Sequence, residues 1–211
     1  MAGNPEQLFD KMVGHYAPKW AEHGATPRGV DWNGEQSQLV HFEQLLRIVG
    51  APHGFSLNDL GCGYGALLAY LRARHADFRY RGYDINADMI ASAQRQFADV
   101  GAARFAVASA PTEPADYGVA SGIFTLRLER SDAQCRQQLQ DTLDALDATS
   151  RLGFAFNCLT SYSDPDRMQD YLYYPDPCDL FDLCKRRYSR QVALLHDYGL
   201  YAFTILVRKP S

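Results

Sequence analysis

The segment Leu57-Asn-Asp59-Leu-Gly61-Cys62-Gly63-Tyr-Gly65-Ala66 constrains this 211-residue chain more than any other. An apolar, strand-like run enters it, and a helix-like run carrying Leu67, Leu68 and Leu71 leaves it. A strand that turns directly into a helix presents backbone N–H groups and the positive helix end to whatever lies above the turn. Glycines at 61, 63 and 65 allow backbone angles and close approaches that a Cβ would block. Such a turn belongs to a strand–helix–strand unit. It predicts a parallel sheet that binds its ligand beyond the carboxyl ends of the strands.

The chain on either side follows the same alternation. Strands are expected at 55–60, 78–83, 104–108, 117–124 and 152–159. Arg79 and Arg81 fit awkwardly in the second of these if both sheet faces are covered. Helices are expected at 66–74, after an Asn86 cap with Met89, Ala93, Phe97 and Val100 on one stripe, and after a Ser131/Gln134 capping box. Another begins at Asp176-Pro177 and ends in Lys185-Arg186-Arg187, cations suited to its negative end. Runs 191–195 and 201–207 flank His196-Asp197-Tyr198-Gly199 and predict a hairpin. Upstream, Asn4-Pro5 suggests a capped start to a short helix with Leu8, Met12 and Tyr16 on one face. Residues 23–34 are loop-like. A second helix carries Leu39, Phe42, Leu46 and Val49 and stops at Gly50-Ala51-Pro52. The expected fold class is α/β, a three-layer Rossmann-like sandwich whose mostly parallel seven-stranded sheet ends in an antiparallel hairpin strand. Residues 1–50 form N-terminal helices and a lid loop packed on a core of 51–211, one compact domain overall.

Asp84, 23 residues after Gly61 and ending the second strand, places a carboxylate where it can accept hydrogen bonds from both hydroxyls of a ribose. Glycine loop and acid together specify a ligand that contains a nucleoside. Gly61-x-Gly63-x-x-Ala66 also satisfies the loose dinucleotide fingerprint, so an NAD(P)-binding oxidoreductase has to be weighed. Against it stand Asp59 just before the glycines, the extra Gly65, and too little remaining chain for a separate substrate domain. A net charge of -4 disfavours a dedicated nucleic-acid binder. The five scattered cysteines show neither zinc nor disulfide-scaffold spacing. With no signal-peptide pattern and no apolar run of about 20 residues, the expected setting is soluble and cytoplasmic.

The run D-x-G-x-G-x-G, with an acid at the end of the next strand, resembles class I S-adenosylmethionine-dependent methyltransferases over about residues 40–208. The resemblance implies S-adenosyl-L-methionine as cofactor. Asp59 and the loop of Gly61, Cys62, Gly63 and Gly65 would hold its methionine moiety, Asp84 the ribose, and Ile85 the adenine. Ser109 falls where the family often has an acid near the adenine amine, and Ser121 and Gly122 would begin the floor under the methyl group. The family's Asn/Asp-Pro-Pro-aromatic motif for nucleic-acid amines is replaced here by Ser121-Gly-Ile-Phe-Thr125, and no Pro-Cys nucleophile follows the fourth strand. What remains is in-line transfer to O, N or C of a small-molecule acceptor, with no membrane partner. Tyr16, Trp32 in the 23–34 loop, Arg127, and Tyr162 in the tyrosine-rich 161–176 segment are the candidate substrate contacts. No general base and no metal cluster stand out, which favours transfer by proximity. His196-Asp197 is read as a turn and Cys62 as filling. A non-catalytic S-adenosylmethionine-binding protein is the alternative from another class. The oligomeric state is not legible.

Overall fold

A computed structural model describes residues 5–50 and 53–210. The expected cap at Asn4 and the helix stop at Ala51-Pro52 lie outside the described residues. The sheet order is β3-β2-β1-β4-β5-β7-β6, with β1 Phe55–Leu60, β2 Phe78–Asp84, β3 Ala103–Val107, β4 Ala115–Ala120, β5 Ser150–Leu159, β6 Gln191–Leu195 and β7 Ala202–Arg208. β1 to β5 pair in parallel, while β7 runs antiparallel between β5 and β6. The order reverses between β1 and β4, which opens a crevice at their carboxyl ends.

Helices cover both faces. α2 (Glu35–Leu46), α3 (Ala66–Arg72) and α4 (Ala87–Gln96) share one core with Leu57, Tyr80 and Leu206. α5 (Asp132–Thr149) and α6 (Pro177–Arg187) share the other with Phe154, Phe156, Phe203 and Ile205. The period of two along β5 and β7 decides which side chain joins which core. Every residue of β1 is buried, as a central parallel strand requires. The Asn86 cap, the Ser131/Gln134 capping box and the Asp176 cap all form.

Three local expectations need correction. α1 (Pro5–His23) is a 19-residue helix that absorbs Pro18, not a short one, and the loop after it contains a 3-10 turn at Arg28–Val30. β4 ends at Ala120, because Gly122 takes φ +73° and breaks the extended backbone; Ser121 to Phe124 form a turn. Arg79 and Arg81 are accommodated in β2: Arg79 is exposed, and Arg81 pairs with Glu113 at 2.8 Å. Among the described residues no helix is long and apolar enough to cross a membrane.

Candidate active site

The glycine turn is built from the expected conformations. Gly61, Gly63 and Gly65 have φ of +78°, +53° and +87°. Gly61 and Cys62 N–H both donate to the Tyr83 carbonyl, which ties the turn to the end of β2. Asp84 completes it: its Oδ2 accepts the Gly63 N–H at 2.8 Å and its Oδ1 the Asn86 N–H at 2.9 Å. Burial raises the Asp84 pKa, and these backbone donors pull it back down. Asp59 lies beneath, 2% exposed, with Oδ2 accepting the Tyr80 hydroxyl at 2.6 Å. Burial pushes its pKa up to about 7 against the opposing Tyr80 bond, with Asp84 repulsion adding to the rise. Burial also drives the Cys62 thiol well above its ordinary value, so it is held as a neutral thiol and is no nucleophile.

Above this turn lies a cavity of about 1380 Å³. Of the residues singled out from the sequence, Asp59, Gly61, Cys62, Gly63, Asp84, Ile85, Ser109, Ser121, Gly122, Tyr16 and Trp32 line it. Gly65, Arg127 and Tyr162 do not. Gly65 sits at the start of α3, where a Cβ would meet the Phe97 ring at 2.6 Å, so its freedom serves packing. Arg127 turns to Asp132. Tyr162 is 66% exposed, its ring 5.9 Å from His196 in the β6–β7 turn.

The cover comes from the N-terminal segment. A Cβ on Gly63 would stand 3.5 Å from Val30, and one on Gly122 would stand 3.1 Å from the Trp32 ring. The 3-10 turn therefore closes over the glycine loop while Trp32 closes over the end of β4. Asp31, left-handed at φ +65°, is paired with Lys19 and lies 3.4 Å from His15, which pins the cover to α1. Tyr16 also reaches the cavity; its hydroxyl is hydrogen-bonded with Thr125, and burial pushes its pKa up to about 12.

The sequence reading missed Val30, Gln38, His41 and Asn157, all of which line the cavity. For three of them a signal existed. Gln38 and His41 are polar residues on the buried face of α2 beside Phe42 and Leu45, and Asn157 interrupts the buried run of β5. Asn157 Oδ1 accepts the Gly122 N–H at 2.8 Å and its Nδ2 donates to Ser121 Oγ at 3.2 Å, so β5 holds the turn after β4 in place. Asn157→Ala orphans that N–H and is expected to cost about 1–3 kcal/mol, read as a lower urea midpoint. An unchanged midpoint would show that the turn holds itself.

Comparisons with known proteins agree with this geometry. Residues 58–152 match the family model described as a methyltransferase domain. A protein of Mycobacterium tuberculosis strain H37Rv, Rv1506c, provisionally named a methyltransferase, is 58% identical over 166 residues, 79% of this chain and 100% of its own. Among solved structures, a complex of DhpI with SAM and HEP superposes with a TM-score of 0.68 at 15% identity, covering 99% of this chain and 100% of that one. Magnesium protoporphyrin IX methyltransferase from Synechocystis PCC 6803 with bound SAH gives 0.67 at 12% identity, covering 98% and 100%. These two show the shared fold. The close relative and the matched domain, spanning the glycine turn to the start of β5, show that the chain belongs to the methyltransferase family.

Proposed function

We propose that this methyltransferase takes its methyl group from S-adenosylmethionine and passes it to a small-molecule acceptor held in the same cavity. The observation that carries the reading is the switch-point cavity, which joins the glycine turn and Asp84 to a roofed chamber under Trp32 and Tyr16. The residues fit such a donor. Asp84, with backbone N–H groups already holding both oxygens on one side, still has lone pairs for the two hydroxyls of a ribose. Ile85 and Met89 offer apolar contact for an adenine, and Asp59 lies where an ammonium would favour its charged form. Ser109, exposed at the cavity wall, can hydrogen-bond an adenine amine. Ser121 and Gly122, held by Asn157, would form the floor at the reacting methyl.

S-adenosylmethionine supplies a methyl already made electrophilic by its sulfonium. The protein's task is then to align an acceptor with it and keep water out. Trp32, Tyr16 and Phe124 supply aromatic walls for this, and an aromatic face over a sulfonium is favourable. The roof favours a small acceptor over a polymer. The five cysteines, all free, support a reducing, cytoplasmic setting.

Thermal unfolding with S-adenosylmethionine, S-adenosylhomocysteine and NAD tests the reading. At a hundredfold excess over its dissociation constant a ligand bound to the folded state alone adds about 2.7 kcal/mol. Stabilisation by the two adenosyl ligands is expected. Stabilisation by NAD alone would overturn the reading.

A further inference from the structure

The cavity has room for more than a donor. Pockets for one drug-sized ligand run to about 1,000 Å³, and this one measures about 1380 Å³. From the turn after β4 its wall continues through Thr125, Leu126 and Arg130 to Gln134 and Gln138 on the first turns of α5. Arg130 brings a half-buried guanidinium to this arm. The arginines around it each hold an acid: Arg127 pairs with Asp132, Arg136 with Asp179 and Arg187 with Asp144. Among the described residues Arg130 holds none and meets neutral acceptors instead. Its Nε donates to the Arg127 carbonyl at 3.0 Å, and its two terminal nitrogens donate to Gln138 Oε1 and to the Leu126 carbonyl. Each terminal nitrogen carries a second N–H that these bonds do not use. Burial lowers the guanidinium pKa, against a smaller opposing effect of Cys135, yet arginine stays charged. A partly desolvated charge among neutral partners is left uncompensated.

We propose that the acceptor is a small organic acid whose carboxylate docks on Arg130 while its nucleophilic end reaches the turn at Ser121 and Gly122. The inference rests on the donor site proposed above, which puts the reacting methyl over that turn. Bonds within the turn set the reach. Thr125 Oγ donates to the Gly122 carbonyl at 3.1 Å, and the next residue, Leu126, offers its carbonyl to Arg130. The guanidinium therefore stands within about 15 Å of the Gly122 carbonyl, a span suited to one ring and a short chain. Two unused N–H groups and a single positive charge match the two oxygens and single charge of a carboxylate. A phosphate dianion would keep half its charge uncompensated beside the acids of the same arm. Those acids are Glu129, paired with Lys11, and Asp141, exposed and bonded by Gln137; neither pairs with Arg130. Arg130 takes no part in bond making. It holds a remote group equally in ground and transition state, and so selects the acceptor without raising the rate of transfer.

The test is calorimetry on the protein saturated with S-adenosylhomocysteine. The probes are benzoate, 3-phenylpropanoate and 4-phenylbutanoate, each beside its primary amide, which keeps the shape and lacks the charge. At least one acid is expected to bind the wild type more than about tenfold tighter than its amide. Arg130→Gln should bring that ratio to within about twofold of one, Arg130→Lys should keep part of it, and neither should change the affinity for S-adenosylhomocysteine. A purely structural arginine would lower the urea midpoint of both variants and leave the ratio alone. Should a variant fail to fold, the wild type still answers: nitrogen-15 spectra should show one arginine side chain that shifts with the acid and not with the amide. Equal binding of acid and amide in all three pairs, no binding of any probe, a ratio unchanged in Arg130→Gln, or tighter binding of phenyl phosphate than of every acid would each overturn the proposal. So would an arginine spectrum indifferent to the acids. Failure of the wild type to bind S-adenosylhomocysteine would instead bring down the donor site, and the acid–amide comparison would then be read on the ligand-free protein.

Discussion

Asp84→Ala is expected to abolish the stabilisation that S-adenosylmethionine confers. A carboxylate accepting two ligand hydroxyls makes two charge-assisted hydrogen bonds, each contributing roughly 1.5–3 kcal/mol. Their loss weakens binding by roughly a hundredfold to tens of thousandfold. At a ligand concentration that adds about 2.7 kcal/mol to the wild type, the variant should gain less than about 0.5 kcal/mol. The substitution also frees the Gly63 and Asn86 N–H groups, which loosens the turn. Asp84→Asn keeps an oxygen for one of those two donors and so preserves part of the turn while removing the charge. If the fold tightens the site only through the backbone, Asn should bind nearly as well as Asp. If the carboxylate itself meets the hydroxyls, both variants fail. Retained stabilisation in Asp84→Ala, measured by thermal unfolding beside a circular dichroism check of the fold, would remove Asp84 from the binding site.

The second large effect concerns pH. Asp59 titrates at about 7 in the folded protein, chiefly because it is buried, against 3.8 for the free side chain. The folded state therefore holds a proton that the unfolded chain has already released. The stabilisation is complete below the unfolded value of 3.8 and is lost as pH rises through about 7. Between pH 5 and pH 8 the ligand-free protein should lose roughly 2–3 kcal/mol through this one group. Asp59→Asn keeps an acceptor for the Tyr80 hydroxyl and has no proton to exchange, so its urea stability should vary less over that range by the same amount. Parallel profiles for the two proteins would mean that Asp59 is ionised throughout. Tyr80→Phe should act in the other direction, since it removes the one hydroxyl that favours the charged carboxylate and pushes the titration higher.

Much of the framework was legible in the residues. The strand-to-helix turn at 61–65, the caps at Asn86, Ser131 and Asp176, and the strand at 55–60 depend on neighbours a few positions apart, where steric and hydrogen-bonding rules act directly. The same locality explains the overrun of β4. An apolar run through Phe124 looks like strand until Gly122 turns it aside, and Asn157 from β5 is what holds that turn. The Arg79/Arg81 difficulty vanished because only part of the β2 face is covered.

The candidate site divides along the same line. Alternation of apolar periods, the glycine spacing and the acid after the second strand determined an α/β sheet with a crevice above its glycine turn, because those patterns express backbone geometry and burial within single elements. Only the tertiary structure decided that Val30 roofs Gly63, that Trp32 lies between His41 and Gly122, and that Arg127, Tyr162 and Gly65 stand away from the cavity. The first two unite segments 33 and 90 positions apart, and no local pattern encodes which distant side chains meet. Those meetings are settled when the helices and loops close over the sheet and exclude water from what they cover.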